Sequence, residues 1–132
     1  MAFVDRYNPA AEFHTGEDCH ITELCNPVKD ADCSIARARV APGVTTRLHC
    51  LERTTERYVI ISGSGQVTVG TAAATQVEAF DVVHIPAGIP QQISNTGSED
   101  LVFLCVCTPG FRQENYRDLE DRPGLAGEYS SS

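Results

Sequence analysis

The sequence predicts an all-β fold built from short strands. Segments in which apolar and polar residues alternate recur along the chain, and turn-forming Gly, Pro and Asn residues separate them every several positions. One later segment, LVFLCVCT at 101–108, is apolar on both faces, which is typical of a buried strand, and Pro109–Gly110 ends it. Many short strands with frequent turns favour a β-sandwich or a β-barrel.

The individual elements follow from the same alternation. In the segment CSIARARVA, Arg37 and Arg39 share one strand face, and Ala36 and Ala38 share the other. Near the C-terminus, the segment 111–120 spaces its Phe, Tyr and Leu residues as a short helix would. The predicted strands are 19–25, 33–41, 45–51, 56–62, 66–70, 75–79, 82–86, 91–95 and 101–108.

Length and composition are those of one small domain. The chain has 132 residues, of which 42% are hydrophobic, and this suits a single domain with one core. We expect a core barrel at about 17–110, an N-terminal arm at 1–16, and a C-terminal helix and tail at 111–132.

Charge and hydropathy exclude several classes of partner. The net charge of −8 disfavours binding to a nucleic-acid backbone or to an anionic membrane surface. No apolar run approaches the roughly 20 residues needed to span a bilayer, and the N-terminus lacks the basic and apolar parts of a signal peptide. We therefore expect a cytoplasmic protein with neither a nucleic-acid nor a membrane partner.

The stretch Pro42–Gly65 carries most of the candidate site residues and predicts a hairpin of two strands. His49 lies on the first strand and Glu56 on the second. Because side chains alternate between the two faces of a strand, these two come together if both faces point inward. An imidazole and a carboxylate on neighbouring strands form half of a metal site, or an acid–base pair. The same alternation brings Arg47 and Tyr58 onto this face.

The spacing of residues in this stretch is that of a known signature. The pattern Gly43-x5-His49-x-Leu51-x4-Glu56-x6-Gly63 resembles the first signature of the cupin superfamily. Leu51 stands where that signature has its second His.

The segment FDVVHIPAGIPQQISN resembles the second cupin signature. Pro86, Gly88 and Asn95 match it, Phe80 replaces the usual Gly, and Gln91 replaces the usual metal-binding His. Together the two motifs imply the cupin double-stranded β-helix, a jelly-roll barrel, here with a short C-terminal helix.

The resemblance implies a metal site with altered ligands. His49, Glu56 and Gln91 fall on ligand positions for a divalent transition metal such as Fe, Mn, Ni or Zn, while Leu51 has no donor atom. The carbonyl oxygen of a glutamine is a weaker ligand than imidazole for most transition metals. His84 is a further candidate ligand.

An inward-facing Arg47 must have a partner, because an unpaired buried charge is very costly. One hypothesis is an internal ion pair between Arg47 and Glu56, with His49 only hydrogen-bonded in the core. The other is that Arg47, Gln91 and Arg39 bind the carboxylate or phosphate of a small anionic ligand. A solvated strand face is the alternative for Arg39.

The sequence has six cysteines, and no two of them form a C-x-x-C motif. Without a signal peptide, a disulfide framework is not expected, and the cysteines are interpreted as small hydrophobic residues packed in strands. Alternatively, Cys105 or Cys107 lines the cavity as a soft ligand or nucleophile. These two share a strand face, so both point inward or both point outward.

Three functional hypotheses remain from the sequence. The first is a metal-dependent cupin isomerase or dioxygenase. The second is a metal-free enzyme in which His49, Glu56 and Tyr58 are catalytic in acid–base chemistry such as epimerisation or dehydration. The third is a module that binds or senses a small molecule without turnover. The resemblance also implies a homodimer.

Overall fold

The fold consists of two antiparallel β-sheets that face each other and enclose one core. The structure is a computed structural model, and it describes residues 3–16 and 18–120. The elements in chain order are a 3-10 turn at Pro9–Ala11, β1 (Phe13–His14), β2 (His20–Cys25), β3 (Ser34–Val40), β4 (His49–Leu51), β5 (Thr55–Ser62), β6 (Ser64–Val69), β7 (Thr75–Glu78), β8 (Val82–Ile85), β9 (Gln91–Asn95), β10 (Leu101–Thr108), a 3-10 turn at Gln113–Asn115, and β11 (Tyr116–Asp118).

Strand order identifies the architecture. One sheet has six strands in the order β1-β2-β3-β10-β5-β8, and the other has five in the order β11-β4-β9-β6-β7. Every pairing between strands is antiparallel. The predicted all-β jelly-roll barrel is thereby confirmed.

The core lies between the inner faces of the two sheets. Along β5, Glu56, Tyr58 and Ile60 are buried while their neighbours in sequence are more exposed, and this is the period of two that a half-buried strand requires. Apolar side chains fill the part of the barrel next to β6, β7 and β8. They include Ile60, Val67, Val77, Val83, Ile85, Ile93 and Leu101.

The predicted hairpin between the two site-bearing strands is wrong. β4 pairs with β9 and β11, whereas β5 pairs with β10 and β8, so the two strands belong to opposite sheets. The short link at 52–54 crosses from one sheet to the other, and Arg53 has a left-handed φ of 53° there. Alternation indicates which residues point inward, but it does not say which strand lies beside which.

The first of these strands is also shorter than predicted. Before β4 begins at His49, the chain makes an isolated bridge between Thr45 and Ser94 and separate backbone hydrogen bonds, among them one from Thr46 N to Ile93 O. The residues between Thr46 and His49 are not regular strand, so the alternation is interrupted there.

The C-terminal segment, predicted to hold a short helix, forms a single 3-10 turn followed by a strand. The helix is reduced to the 3-10 turn Gln113–Asn115, and the chain then pairs along the edge of β4 as β11. This pairing satisfies backbone groups of a strand that otherwise would be an edge. The rest of the predicted tail, 121–132, lies outside the described residues.

Two turns have a left-handed backbone. Gly63 has φ +85°, and a Cβ atom there would lie 2.6 Å from Asp100 O, so no larger residue fits. Phe80, at the place where the second signature usually has Gly, has φ 72° and remains 82% exposed. Phe80 therefore adopts the left-handed region that glycine favours, at the steric cost of a bulky residue in that region.

Among the described residues, no helix has the length and apolar character needed to cross a membrane.

Candidate functional site

Small side chains leave a cavity at one end of the barrel. Ser34, Ala36 and Ala38 on β3 and Cys105 and Cys107 on β10 are too small to fill the space between the sheets. The cavity is small, with a volume of about 40 Å³ open to the centre of a water molecule. Its other lining residues are Cys19, Ile21, Thr46, His49, Leu51, Glu56, Tyr58, Phe103, Phe111 and Tyr116.

His49 is held in one tautomer on the five-stranded sheet. Its Nδ1 lies 2.8 Å from the carbonyl oxygen of Arg47, and because a carbonyl only accepts, Nδ1 carries the proton. In the neutral ring the remaining nitrogen, Nε2, is then a base. The ring stacks on Tyr116 of β11, with centroids 5.1 Å apart and planes at 20°. His49 therefore provides a fixed proton acceptor in the lining of the cavity.

A hydrogen-bonded chain joins the two sheets beside the cavity. Gln91, which is fully buried on β9, accepts a bond at Oε1 from the hydroxyl of Tyr58 on β5. Its Nε2 donates to Glu56 Oε1 over 2.8 Å. The thiol of Cys107 contacts the other oxygen, Glu56 Oε2, at 3.6 Å. Both ends of the Gln91 amide are thus engaged within the protein.

The Cys107 thiol in the cavity is neutral rather than a reactive anion. All six cysteines are free, and both Cys105 and Cys107 line the cavity, as does Cys19. Burial, and then the neighbouring Glu56 carboxylate, raises the pKa of the Cys107 thiol far above its usual value. Cys107 therefore acts as a hydrogen-bond donor to Glu56.

Arg47 does not take the position predicted for it. Its side chain is only 2% exposed, but Thr46 lines the cavity in its place, and Arg47 Nε and Nη2 each lie 3.0 Å from Asp118 Oδ2 on β11. The prediction assumed unbroken alternation back from His49, and the irregular segment before β4 shifts that alternation. The structure describes an ion pair between Arg47 and Asp118.

Two other predicted site residues lie outside the barrel. Arg39 is on the outer face of β3, where it contacts Glu12 at 2.7 Å and Asp100 at 3.3 Å. His84 is exposed on β8, whose neighbours Val83 and Ile85 point inward. The structure therefore brings together His49, Glu56, Tyr58 and Gln91 and separates Arg39 and His84 from them.

The donors in the cavity do not fit a transition metal. Of the four signature positions, Leu51 has no donor atom and the Gln91 oxygen already accepts from Tyr58, so only His49 and Glu56 remain. Among the described residues, no group of three His, Cys, Asp or Glu side chains is placed to hold a metal ion. A closed or catalytic metal site normally takes at least three protein ligands.

Sequence reasoning missed several residues of the site. Tyr116 lies in the segment interpreted as a helix, and no local pattern marks it as the residue that stacks on His49. Asp118, the partner of Arg47, is equally distant in sequence. The small side chains on the inner face of β3 could have been found from the sequence. Ala36 and Ala38 alternate with arginines, and small residues on an inward face leave space for a cavity.

Comparisons with known proteins agree with this architecture. The family model described as "Cupin domain" matches residues 36–107, more than half of the chain. An uncharacterised protein, MJ1618 of Methanocaldococcus jannaschii, is 31% identical over 116 residues, which cover 86% of this chain and 92% of that protein.

Two further relatives are oxalate decarboxylases by name. Oxalate decarboxylase OxdC of Bacillus subtilis is 30% identical over 115 residues, covering 84% of this chain but only 29% of that enzyme. The crystal structure of a predicted oxalate decarboxylase from Thermotoga maritima superposes with a TM-score of 0.72 at 24% identity, covering 81% of this chain and 99% of that one. The structural likeness concerns the fold.

Proposed function

This chain belongs to the cupin family, and from that premise we propose that its barrel cavity binds a small uncharged organic molecule without a metal ion. The observation that carries the proposal is the Gln91 amide, held between Tyr58 and Glu56. A metal ion at the signature positions would need Gln91 Oε1, which already accepts a hydrogen bond from Tyr58. Breaking this buried chain would leave polar groups unpaired, at about 1–3 kcal/mol each.

The charges of the lining support an uncharged ligand. Among the described residues that line the cavity there is no Lys or Arg, whereas Glu56 is one of them. The nearby guanidinium of Arg47 is paired with Asp118. A small anion would meet a carboxylate without a cation to offset it, so we infer a neutral ligand where Arg47 had predicted an anionic one. The rest of the lining is mostly apolar or aromatic, as in many small-molecule sites.

The chemistry that this site supports is proton transfer. His49 Nε2 is the base, because the bond from Nδ1 to the Arg47 carbonyl fixes the tautomer. Abstraction of a proton from the bound molecule gives an imidazolium, which Glu56 stabilises as the carboxylate among the described lining residues. Epimerisation and dehydration are reactions of this class. A binding module would use the same contacts without turnover.

A metal-dependent activity is the second candidate, and one observation favours it. OxdC of Bacillus subtilis is 30% identical to this chain, and His49 and Glu56 stand at two ligand positions of the first signature. The chain spans 29% of that enzyme. The donor set described above is the reason we rank this candidate second.

A matched pair of probes tests the charge of the ligand. Acetamide and acetate have the same shape and differ in charge, and chemical shifts of the His49 ring can be followed by NMR as each is added. We expect acetamide to shift the His49 resonances and acetate to have a much smaller effect. His49→Gln assigns these resonances because it removes them, and His84→Gln should leave the response unchanged, because His84 is exposed outside the barrel. Stronger binding of acetate than of acetamide would overturn the proposal.

A further inference from the structure

A second, smaller space adjoins the cavity at Phe111. Its volume open to the centre of a water molecule is about 20 Å³, and it shares Ser34, Ala36 and Phe111 with the lining of the cavity. Ser34 and Ala36 have small side chains, so the ring of Phe111 is the large group at the boundary between the two spaces. We refer to this space as the second pocket. Its other lining residues are Glu23, Cys25, Asn26, Pro27 and Ile35.

The main chain at this boundary is held from two sides. Phe111 N donates a hydrogen bond of 2.8 Å to Ser34 Oγ, and Gly110 N donates one of 2.9 Å to Ala31 O. The loop between β2 and β3 also packs closely here, since a Cβ atom at Gly110 would lie 3.0 Å from Pro27 Cγ. Because the main chain is fixed at these points, rotation of the Phe111 side chain is the change that opens the second pocket to the cavity.

Glu23 gives the second pocket a half-buried carboxylate. It follows Ile21 by two residues on β2, and Ile21 lines the cavity, so both side chains point to the inner face. Among the described residues, the Glu23 side chain accepts a hydrogen bond from Asn26 Nδ2 at the long distance of 3.5 Å. Burial raises the pKa of Glu23, and the bond from Asn26 offsets this effect only in part. A further donor at Glu23 would therefore stabilise the carboxylate through a charge-assisted hydrogen bond.

We propose that the second pocket is a subsite for the far end of the ligand, in which Glu23 accepts a hydrogen bond from a hydroxyl or amide N–H group. A space of this size holds about one water molecule, so it suits a single polar group. The ring of Phe111 turns aside to admit the chain that joins this group to the part of the molecule beside His49. The ligand is thus an uncharged, elongated molecule with a polar group at each end. This inference rests on the proposed function, because the same molecule occupies both spaces.

Two amides of equal length test the role of Glu23. 6-Hydroxyhexanamide and heptanamide are both uncharged and differ only in having a terminal hydroxyl or a terminal methyl group. NMR titration of the backbone amide of Ala36, which lies beside both spaces, measures the dissociation constant of each. We expect the wild type to bind 6-hydroxyhexanamide about tenfold more tightly, because a site built to bind a hydroxyl group discriminates against an analogue that lacks it.

Two variants, each with a matched control, test the residues. Glu23→Met keeps the length of the side chain and removes the carboxylate, so it should abolish the preference for 6-hydroxyhexanamide. Glu78→Met, at an exposed residue of β7, should retain that preference. Phe111→Trp should weaken binding of 6-hydroxyhexanamide about tenfold, because the larger ring blocks the passage between the two spaces. Phe80→Trp, at a residue that is 82% exposed, should leave binding unchanged. Circular dichroism verifies that each variant is folded.

Acetamide separates this inference from the proposed function, because it is short enough to occupy the cavity alone. If acetamide binds but the wild type binds the two long amides equally, or if the preference survives Glu23→Met, the second subsite is overturned and the proposed function stands. Undiminished binding of 6-hydroxyhexanamide by Phe111→Trp would overturn the role of Phe111. If none of the three amides binds, both proposals are overturned.

Discussion

Gln91 lies fully buried on β9 and joins the two sheets through its side chain. An imidazole at this position would offer one lone pair to a metal. The amide instead offers an acceptor to Tyr58 and a donor to Glu56, so it satisfies two buried polar groups at once. Gln91 therefore lacks the imidazole that would bind a metal ion. It also hydrogen-bonds to Glu56, the carboxylate at a second ligand position.

The first prediction concerns the two altered signature positions. Leu51→His/Gln91→His should produce about one bound Zn²⁺ per chain, because it completes a set of three imidazoles and one carboxylate at positions that face one cavity. Isothermal titration calorimetry with Zn²⁺ measures the gain. In the control, Leu51→His/Gln92→His, the second imidazole lies on the outward face of β9. Equal binding by both double variants would show that the new metal is held elsewhere.

At the scale of single residues, the sequence predicted the members of the cavity better than their partners. His49, Leu51, Glu56 and Tyr58 were expected to line it, and they do. Asp118, the ion-pair partner that the structure describes for Arg47, was not predicted, because it comes from a strand that local periodicity had assigned to a helix. Local sequence patterns do not predict a contact between two residues that are distant in sequence.

The edge strand β11 does two things at the scale of an element. It covers the edge of β4, and it supplies Tyr116 against the His49 ring and Asp118 against Arg47. A buried arginine stays charged at any ordinary pH, so it needs a carboxylate that stays charged as well. Burial alone would raise the pKa of Asp118, but the Glu120 amide and Arg47 outweigh it and lower that pKa below its usual 3.8.

The second prediction follows from this pair. Asp118→Asn should lower the free energy of unfolding at neutral pH by about 1–2 kcal/mol, less than for a fully buried ion pair because Asp118 is partly exposed. A carboxylate whose pKa is lowered by folding contributes stability above its unfolded pKa and loses it as the pH falls through the folded one. The difference between wild type and variant should therefore shrink below about pH 4.

Urea denaturation at a series of pH values measures this difference. Asp32→Asn is the control, since Asp32 is exposed and has no ion-pair partner among the described residues. A difference between wild type and Asp118→Asn that stays constant down to pH 3 would show that the Asp118 charge is not what stabilises the β4 edge.

Only the family resemblance predicted how the strands are arranged in the two sheets. Alternation located most strands, with β9 and β10 at the predicted bounds. It also suggested a hairpin for β4 and β5, because a short link between two strands is usually a turn within one sheet. In a jelly roll the same short link at 52–54 crosses between sheets. Whether such a link turns within one sheet or crosses to the other depends on the packing of the whole barrel.

At the scale of the whole molecule, both sheets contribute to the candidate site. Small residues on the inner face of β3 and β10 leave the cavity, and His49 and Glu56 approach it from opposite sheets. The geometry of the site therefore depends on how the two sheets pack against each other.

The metal content of the protein tests the central claim most directly. Untagged protein, purified without chelators from cells grown with added Mn, Fe, Ni and Zn, is analysed by inductively coupled plasma mass spectrometry. We expect well under one transition-metal ion per chain, because Leu51 and the engaged Gln91 amide leave only His49 and Glu56 as donors at the four signature positions. About one ion per chain, lost on substitution of His49 and retained on substitution of His84, would contradict the claim.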